Sequence, residues 1–281
     1  MTPEQDSVSW DLANIQLDRP ISGSAVWAPA PLDCKDGFLC YDFSFSRQLR
    51  PVDRSMLRDF LRLAGASDDA IYRFSRKWGV FGLCEHGLPR RHSDACMSMR
   101  RAGSSRVEKI EDWRTLAAAF KCFINISAEL SQGRTGAMDD WRFVDRRLSG
   151  PDFPAWDDLD LQITLSDEWI ARIKLLTLMR RLIWLSDMTL RLDWKQSSRS
   201  WGISPDSNGV NLLALLTLNL LLTMADKDGF AVCSSCHQSY IPLRKPDPTR
   251  RNYCPKCGLK AAWRDAARDG RERRRRMAEQ E

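Results

Sequence analysis

The chain has 281 residues, 43% hydrophobic and 28% charged, with a net charge of +6, a composition that supports a sizeable core and excludes wholesale disorder. Its longest apolar stretch, VNLLALLTLNLLLTM, runs for 15 residues and contains Asn211, Thr217 and Asn219. A bilayer helix needs roughly 20 apolar residues, so a buried helix and no membrane partner are expected. Nine cysteines without a basic-then-apolar leader in MTPEQDSVSWDLANIQ place the expectation in the cytoplasm, where thiols bind metal or stay free.

In chain order, AVWAPAPLDCKDGFLCYDFSF predicts a strand pair turning at Asp36-Gly37, with Tyr41, Phe43 and Phe45 alternating as on a half-buried strand. Leu57, Phe60 and Leu61 predict one helix. Ser67 is the expected N-cap of the next, which carries Ile71, Phe74 and Trp78 and stops at Gly79. A longer helix is expected from about Val107 to Gln132, closed by Gly133, with Ile110, Trp113, Leu116, Phe120, Phe123, Ile124 and Leu130 at helical spacing and Cys122 as an inert core thiol. GAMDDWRFVDRRLSGPDFPAWDDLD reads as a short helix and a loop, with a subdomain boundary near residue 150.

The second half opens with SDEWIARIKLLTLMRRLIWLSDM, expected to be a largely buried helix capped by Ser166, with Asp167 and Glu168 suited to its positive first turn. TLRLDW alternates like a strand, SPDSNG makes a turn, and an apolar helix follows from Val210 to Met224. The fold class is therefore mainly α: a mixed, mainly helical region over 1–150, a helical core region over 151–228, and a small four-cysteine zinc ribbon or knuckle with a basic helix over 229–281.

Cys233 and Cys236 are separated by two residues, as are Cys254 and Cys257, with 17 residues between the pairs. That spacing lets two tight turns aim four sulfurs at one ion, and four thiolates leave no open position, so one structural Zn2+ is expected. A redox dithiol is the alternative, but it calls for a single pair among alternating strands and helices. His237 is assigned to the surroundings of the site. Residues 237–253 hold few large apolar groups, so metal binding is expected to supply the folding free energy of this segment.

Residues 242–276 contain 13 Lys and Arg against four acids, a surplus of nine, so the rest of the chain nets −3 of the overall +6. From Gly258 onward a helix is expected. At 100° per residue, Lys260, Arg264, Arg268, Arg271 and Arg275 fall within about 80° of one another. Leu259, Trp263, Ala266, Ala267 and Gly270 fill the adjacent sector, expected to pack on the zinc module. The cation row, with Arg250 and Arg251 before the third cysteine, suits phosphates of DNA or RNA; a solvated, frayed end is the bland alternative.

These elements together resemble the CGNR-type zinc-finger proteins of bacteria. The resemblance rests on Cys233 and Cys236, the aromatic Tyr240, Arg250 and Arg251, Cys254 and Cys257, and the helix from Gly258, and it covers only the last 70 or so residues. The eponymous stretch reads here Cys257-Gly258-Leu259-Lys260. The resemblance implies a bacterial DNA-binding transcription regulator.

Two of the three histidines lie in GLCEHGLPRRHSDAC, where Cys84, His86, His92 and Cys96 have ligand types suited to a second zinc. Chance clustering on a polar loop is the other reading, and a Cys84–His86 catalytic pair oriented by Asp94 is a third. Asp139, Asp140, Asp157, Asp158 and Asp160 raise a metal-dependent nuclease, although acidic loops and helix starts account for them. No Walker loop, H-E-x-x-H, G-x-S-x-G or dinucleotide fingerprint occurs. The leading reading is a non-enzymatic nucleic-acid binder; a scaffold protein whose zinc module holds a partner is the alternative, and the helical region is a candidate surface for protein partners or self-association.

Overall fold

The computed structural model describes residues 26–49, 54–81, 106–149, 155, 166–186, 190–195, 200–205, 212–225, 229–236, 238–242 and 251–278. Strands β1 (Val26–Lys35) and β2 (Phe38–Leu49) form an antiparallel hairpin. Asp36 and Gly37 both take positive φ, 52° and 80°, the conformation a two-residue hairpin turn needs. The register slips between Pro29 and Ala30 and between Pro31 and Asp33. Both slips fall at prolines, which lack the N–H a ladder uses, and β1 is the edge strand where such breaks are tolerated.

On the other edge of β2 lies β3 (Arg106–Lys109), so the long helix expected from Val107 starts later, as α3 (Ile110–Leu130). Four residues are too few for an alternating pattern to stand out, and pairing with β2 decides their state. Glu108 of β3 is buried and accepts a hydrogen bond from Trp113 Nε1 at 3.0 Å, which offsets the cost of enclosing a carboxylate. Gly133, with φ 71°, turns the chain after α3, its N–H bonding the carbonyl of Leu130.

Helices α1 (Arg54–Leu61) and α2 (Asp68–Trp78) follow the expected pattern. Ser67 caps α2 through the Ala70 N–H, and the Gly79 N–H closes it on Ser75 at 2.7 Å. Helix α3 is the centre of the molecule, touching α1, α2, α4 (Met138–Leu148), α5 (Glu168–Leu185) and α6 (Leu212–Ala225). Around it Phe60 meets Phe120 edge-on at 5.1 Å between ring centroids, and Phe81 stacks on Trp113 at 3.7 Å. Such pairs add to the area these rings bury. Cys122 is half-buried against this core, and burial followed by the nearby Asp140 carboxylate pushes its thiol far above the usual range, as befits an inert packing residue.

The hydrophobic core does not stop at residue 150. Leu39, Phe60, Trp113, Leu148, Leu178 and Leu216 belong to one buried cluster, so the 1–150 and 151–228 segments share an interior. Helix α5 departs from the expectation of a largely buried helix: Leu175, Leu178 and Leu182 face the core, while Trp169 and Leu176 are exposed. Its cap is Asp167, which accepts from the N–H groups of Trp169 and Ile170, in place of Ser166. Inside, Arg181 of α5 pairs with Asp145 of α4 at 2.8 Å, both side chains buried. Strand β4 (Leu190–Lys195) forms as expected, paired with β5 (Ser200–Pro205), which the sequence reading missed. Helix α6 is buried almost all round, as its apolar run demands. Among the described residues, no helix is long and apolar enough to cross a membrane.

Candidate metal centre

The chain ends its described part in a small unit of β6 (Ala231–Val232), β7 (Ser239–Tyr240) and α7 (Gly258–Ala278). Strands β6 and β7 pair antiparallel and flank the first cysteine turn. The Cys233 N–H bonds the Gln238 carbonyl at 3.0 Å, and the Ser235 N–H points at the Cys233 sulfur at 3.4 Å. The second turn, Cys254 to Cys257, runs directly into α7 through the Gly258 N–H on Cys254 at 2.7 Å. A backbone bond ties the two halves together, from Ser234 N–H to the Asn252 carbonyl at 2.8 Å.

The sulfurs of Cys233, Cys236, Cys254 and Cys257 all lie within 4.8 Å of one another, the only such group of metal-ligating side chains among the described residues. Cys236 and Cys254 are 3.8 Å apart, sulfur to sulfur. A tetrahedral ion with metal–sulfur bonds of about 2.3 Å needs sulfurs roughly 3.8 Å apart, so the site is near that size. Cys233 and Cys254 are buried, whereas Cys236 and Cys257 are more open.

The electrostatics also suit a cation. Burial raises the Cys233 thiol, but backbone N–H groups of Cys254, Cys236 and Ser235 outweigh it and bring it down to about 6. Hydrogen bonding with Cys236, followed by burial, pushes Cys257 up to about 12. Four thiolates this close repel one another unless a positive ion joins them.

This unit is not a free tail. Ile241, 3% exposed, sits in the main core, and β7 packs on α3. Residues just after the first cysteine pair are therefore partly ordered by burial, contrary to the expectation that metal alone would do this. Lys256 lies near Lys121 of α3: burial followed by this like charge lowers the Lys121 ammonium. Tyr240 is half-buried, and burial followed by the charges of Cys233 and Cys254 raises its phenol.

Helix α7 corrects another expectation. Its base is anchored by the buried Ala261 and by Arg264 Nη2 donating to Ser235 Oγ at 3.3 Å. Trp263, Ala266 and Ala267 are exposed rather than packed on the module, because a straight helix of 21 residues extends about 30 Å and outruns so small a unit. Lys260, Arg264, Arg268, Arg271 and Arg275 are all exposed along one face. Arg251 forms an exposed pair with Asp269 at 3.5 Å, which holds the loop before Cys254 against α7.

Arg250, His237, the group Cys84, His86, His92 and Cys96, and Asp157, Asp158 and Asp160 lie outside the described residues. Asp139 and Asp140 occupy the first turn of α4, where the helix dipole favours acids. The sequence reading missed Lys256 and gave Trp263 a packing role; both line a hollow of about 670 Å3 with Cys257, Lys260 and Arg264. The placement of Trp263 on the helical wheel, beside the cation row, was the available signal.

Fold and site together define a mainly helical protein carrying a docked four-cysteine module that can bind a metal ion, with a projecting basic helix. No family model matches the chain, and no curated protein or solved structure matches it.

Proposed function

We propose that the four cysteines hold a structural zinc ion and that the module aims α7 at nucleic acid, in the manner of a bacterial DNA-binding regulator. The observation that carries this reading is the row Lys260, Arg264, Arg268, Arg271 and Arg275, exposed on one face of a helix that starts at a metal ligand. A helix fixed at its base by metal and by Ala261 presents its charges as an array, which lowers the entropy lost on meeting a row of phosphates. Zinc is favoured over other metals by four soft thiolates in a closed set. The resemblance to CGNR-type proteins supports DNA as the target.

The test is fluorescence anisotropy with a random DNA duplex at several salt concentrations. If all five cations meet phosphates, the logarithm of affinity falls against the logarithm of salt with a slope of about −4.5. Changing the five to Gln abolishes duplex binding while zinc content and helicity stay unchanged. A chain ending at Gly258 also loses binding, and the Gln variant separates charge from the anchoring role of Ala261. Salt-insensitive binding, or full binding by the Gln variant, would sink the reading.

A second reading, protein partners or self-association through the helical region, is favoured by α5. Trp169, Ile173 and Leu176 are 68%, 45% and 63% exposed and recur at i, i+4 and i+7, one apolar stripe on one face. Under this reading light scattering shows a concentration-dependent rise in mass that W169D with L176D removes. A mass that stays monomeric at every concentration and no captured partner would discard it.

A further inference from the structure

We infer that the hollow at the base of α7 takes an unpaired nucleotide, with its base stacked on Trp263 and its phosphates on Lys256, Lys260 and Arg264, so that the protein prefers single-stranded nucleic acid to duplex. This inference rests on the nucleic-acid reading of the same helix and narrows the substrate. Trp263 is 76% exposed, the largest side chain α7 offers to solvent. It shares a hollow of about 670 Å3 with Lys256, Cys257, Lys260 and Arg264. Around the helix, Lys260 and Arg264 lie about 60° and 100° from Trp263, on the same side.

The chemistry of this pairing is selective. Three cations around an indole repel basic partners and attract anions, while the broad π face asks for a flat, apolar surface. A nucleotide supplies both, the base for the ring and the phosphate for the cations. In a duplex the base faces are already stacked on one another, and a groove exposes only base edges. An indole can use its face only where bases are unpaired. Arg264 is steadied by its bond to Ser235 Oγ at 3.3 Å, and Lys256 stands on the second cysteine turn, so the metal module sets the position of the cations relative to the ring. Both DNA and RNA present this chemistry, and the sugar is distinguished by the probes.

The experiment uses the full-length, zinc-loaded protein and anisotropy with labelled oligothymidylate and oligouridylate of about 12 nucleotides, and a mixed-sequence duplex of equal length. The native protein binds at least one of the single strands roughly tenfold or more tightly than the duplex. W263A loses roughly tenfold or more on that strand, in keeping with the cost of deleting one base-stacking aromatic, and changes less than about twofold on duplex. W263F retains most of the affinity. Trp263 is exposed, so zinc content and thermal unfolding of W263A match the native protein. A response with only one of the two strands upholds the stacking and identifies the sugar. If W263A binds single strands as the native protein does, or loses duplex and single strand alike, the inference is overturned while the nucleic-acid reading stands. If none of the three probes binds at about 50 mM salt, both fall.

Discussion

Changing Cys254 to Ser lowers zinc affinity by several orders of magnitude and opens the segment between β6 and α7 to protease, while the helical core stays folded. The sulfur of Cys254 is buried and 3.8 Å from that of Cys236, and backbone bonds from Gly258 and across from Ser234 hold the two turns around it. A hydroxyl there removes one of four thiolates and leaves the other three without a closed tetrahedron. Structural zinc contributes on the order of 10–16 kcal/mol of apparent binding free energy in small zinc-finger peptides, more than the few hydrogen bonds of this module provide. The core has its own interior around α3, and Ile241 stays attached to it, so unfolding is confined to the module and α7. The check is zinc titration with a chromophoric chelator, joined to limited proteolysis and circular dichroism. One equivalent bound by the native protein and a large loss in C254S are expected; equal affinity, or loss of the whole fold, would refute the local role of the ion.

Asp145→Asn destabilises the whole protein by about 3–5 kcal/mol, because it leaves the Arg181 guanidinium buried without its carboxylate. Arg181 Nη1 lies 2.8 Å from Asp145 Oδ1 and 3.3 Å from Ser149 Oγ, and Ser149 in turn donates to the Asp145 carbonyl at 2.5 Å. Both charged side chains are almost fully enclosed, 4% and 1% exposed. For a chain of this size such a loss lowers Tm by roughly 6–20 °C. Replacing both partners, as D145L with R181M, costs far less, since no charge is then left alone. Urea denaturation of the two single variants and the pair gives a double-mutant cycle with a coupling of several kcal/mol. A loss under about 1 kcal/mol in D145N would mean that water reaches the pair.

This ion pair also shows where sequence reasoning stops. Asp145 and Arg181 are 36 residues apart, and each alone reads as an ordinary charge on a helix. Only the packing of α4 on α5 encloses them. The same holds for β3: four residues with three charges carry no strand signal, and the hydrogen bonds offered by β2 settle their state. Exposure of Trp263 is another case, because its neighbours on the helical wheel match a packed face and only the small size of the module leaves them bare. In α5 the apolar residues circle the helix, so periodicity could not say which would face water.

The elements read correctly are those whose cause lies within a few residues. Asp36-Gly37 accepts left-handed φ at low cost, Ser67 reaches the N–H of Ala70, Gly79 ends α2, and two residues between cysteines make a turn that aims two sulfurs alike. Local sterics, capping and ligand spacing are set by the chain itself, so the sequence alone determined the hairpin, most helices and the four-cysteine cluster. Tertiary structure decided the rest: which helix faces are covered, which charges pair inside, and that the metal module docks on α3 through β7 and Ile241. Burial and long-range pairing depend on what the rest of the chain brings alongside, and no window of residues contains that information.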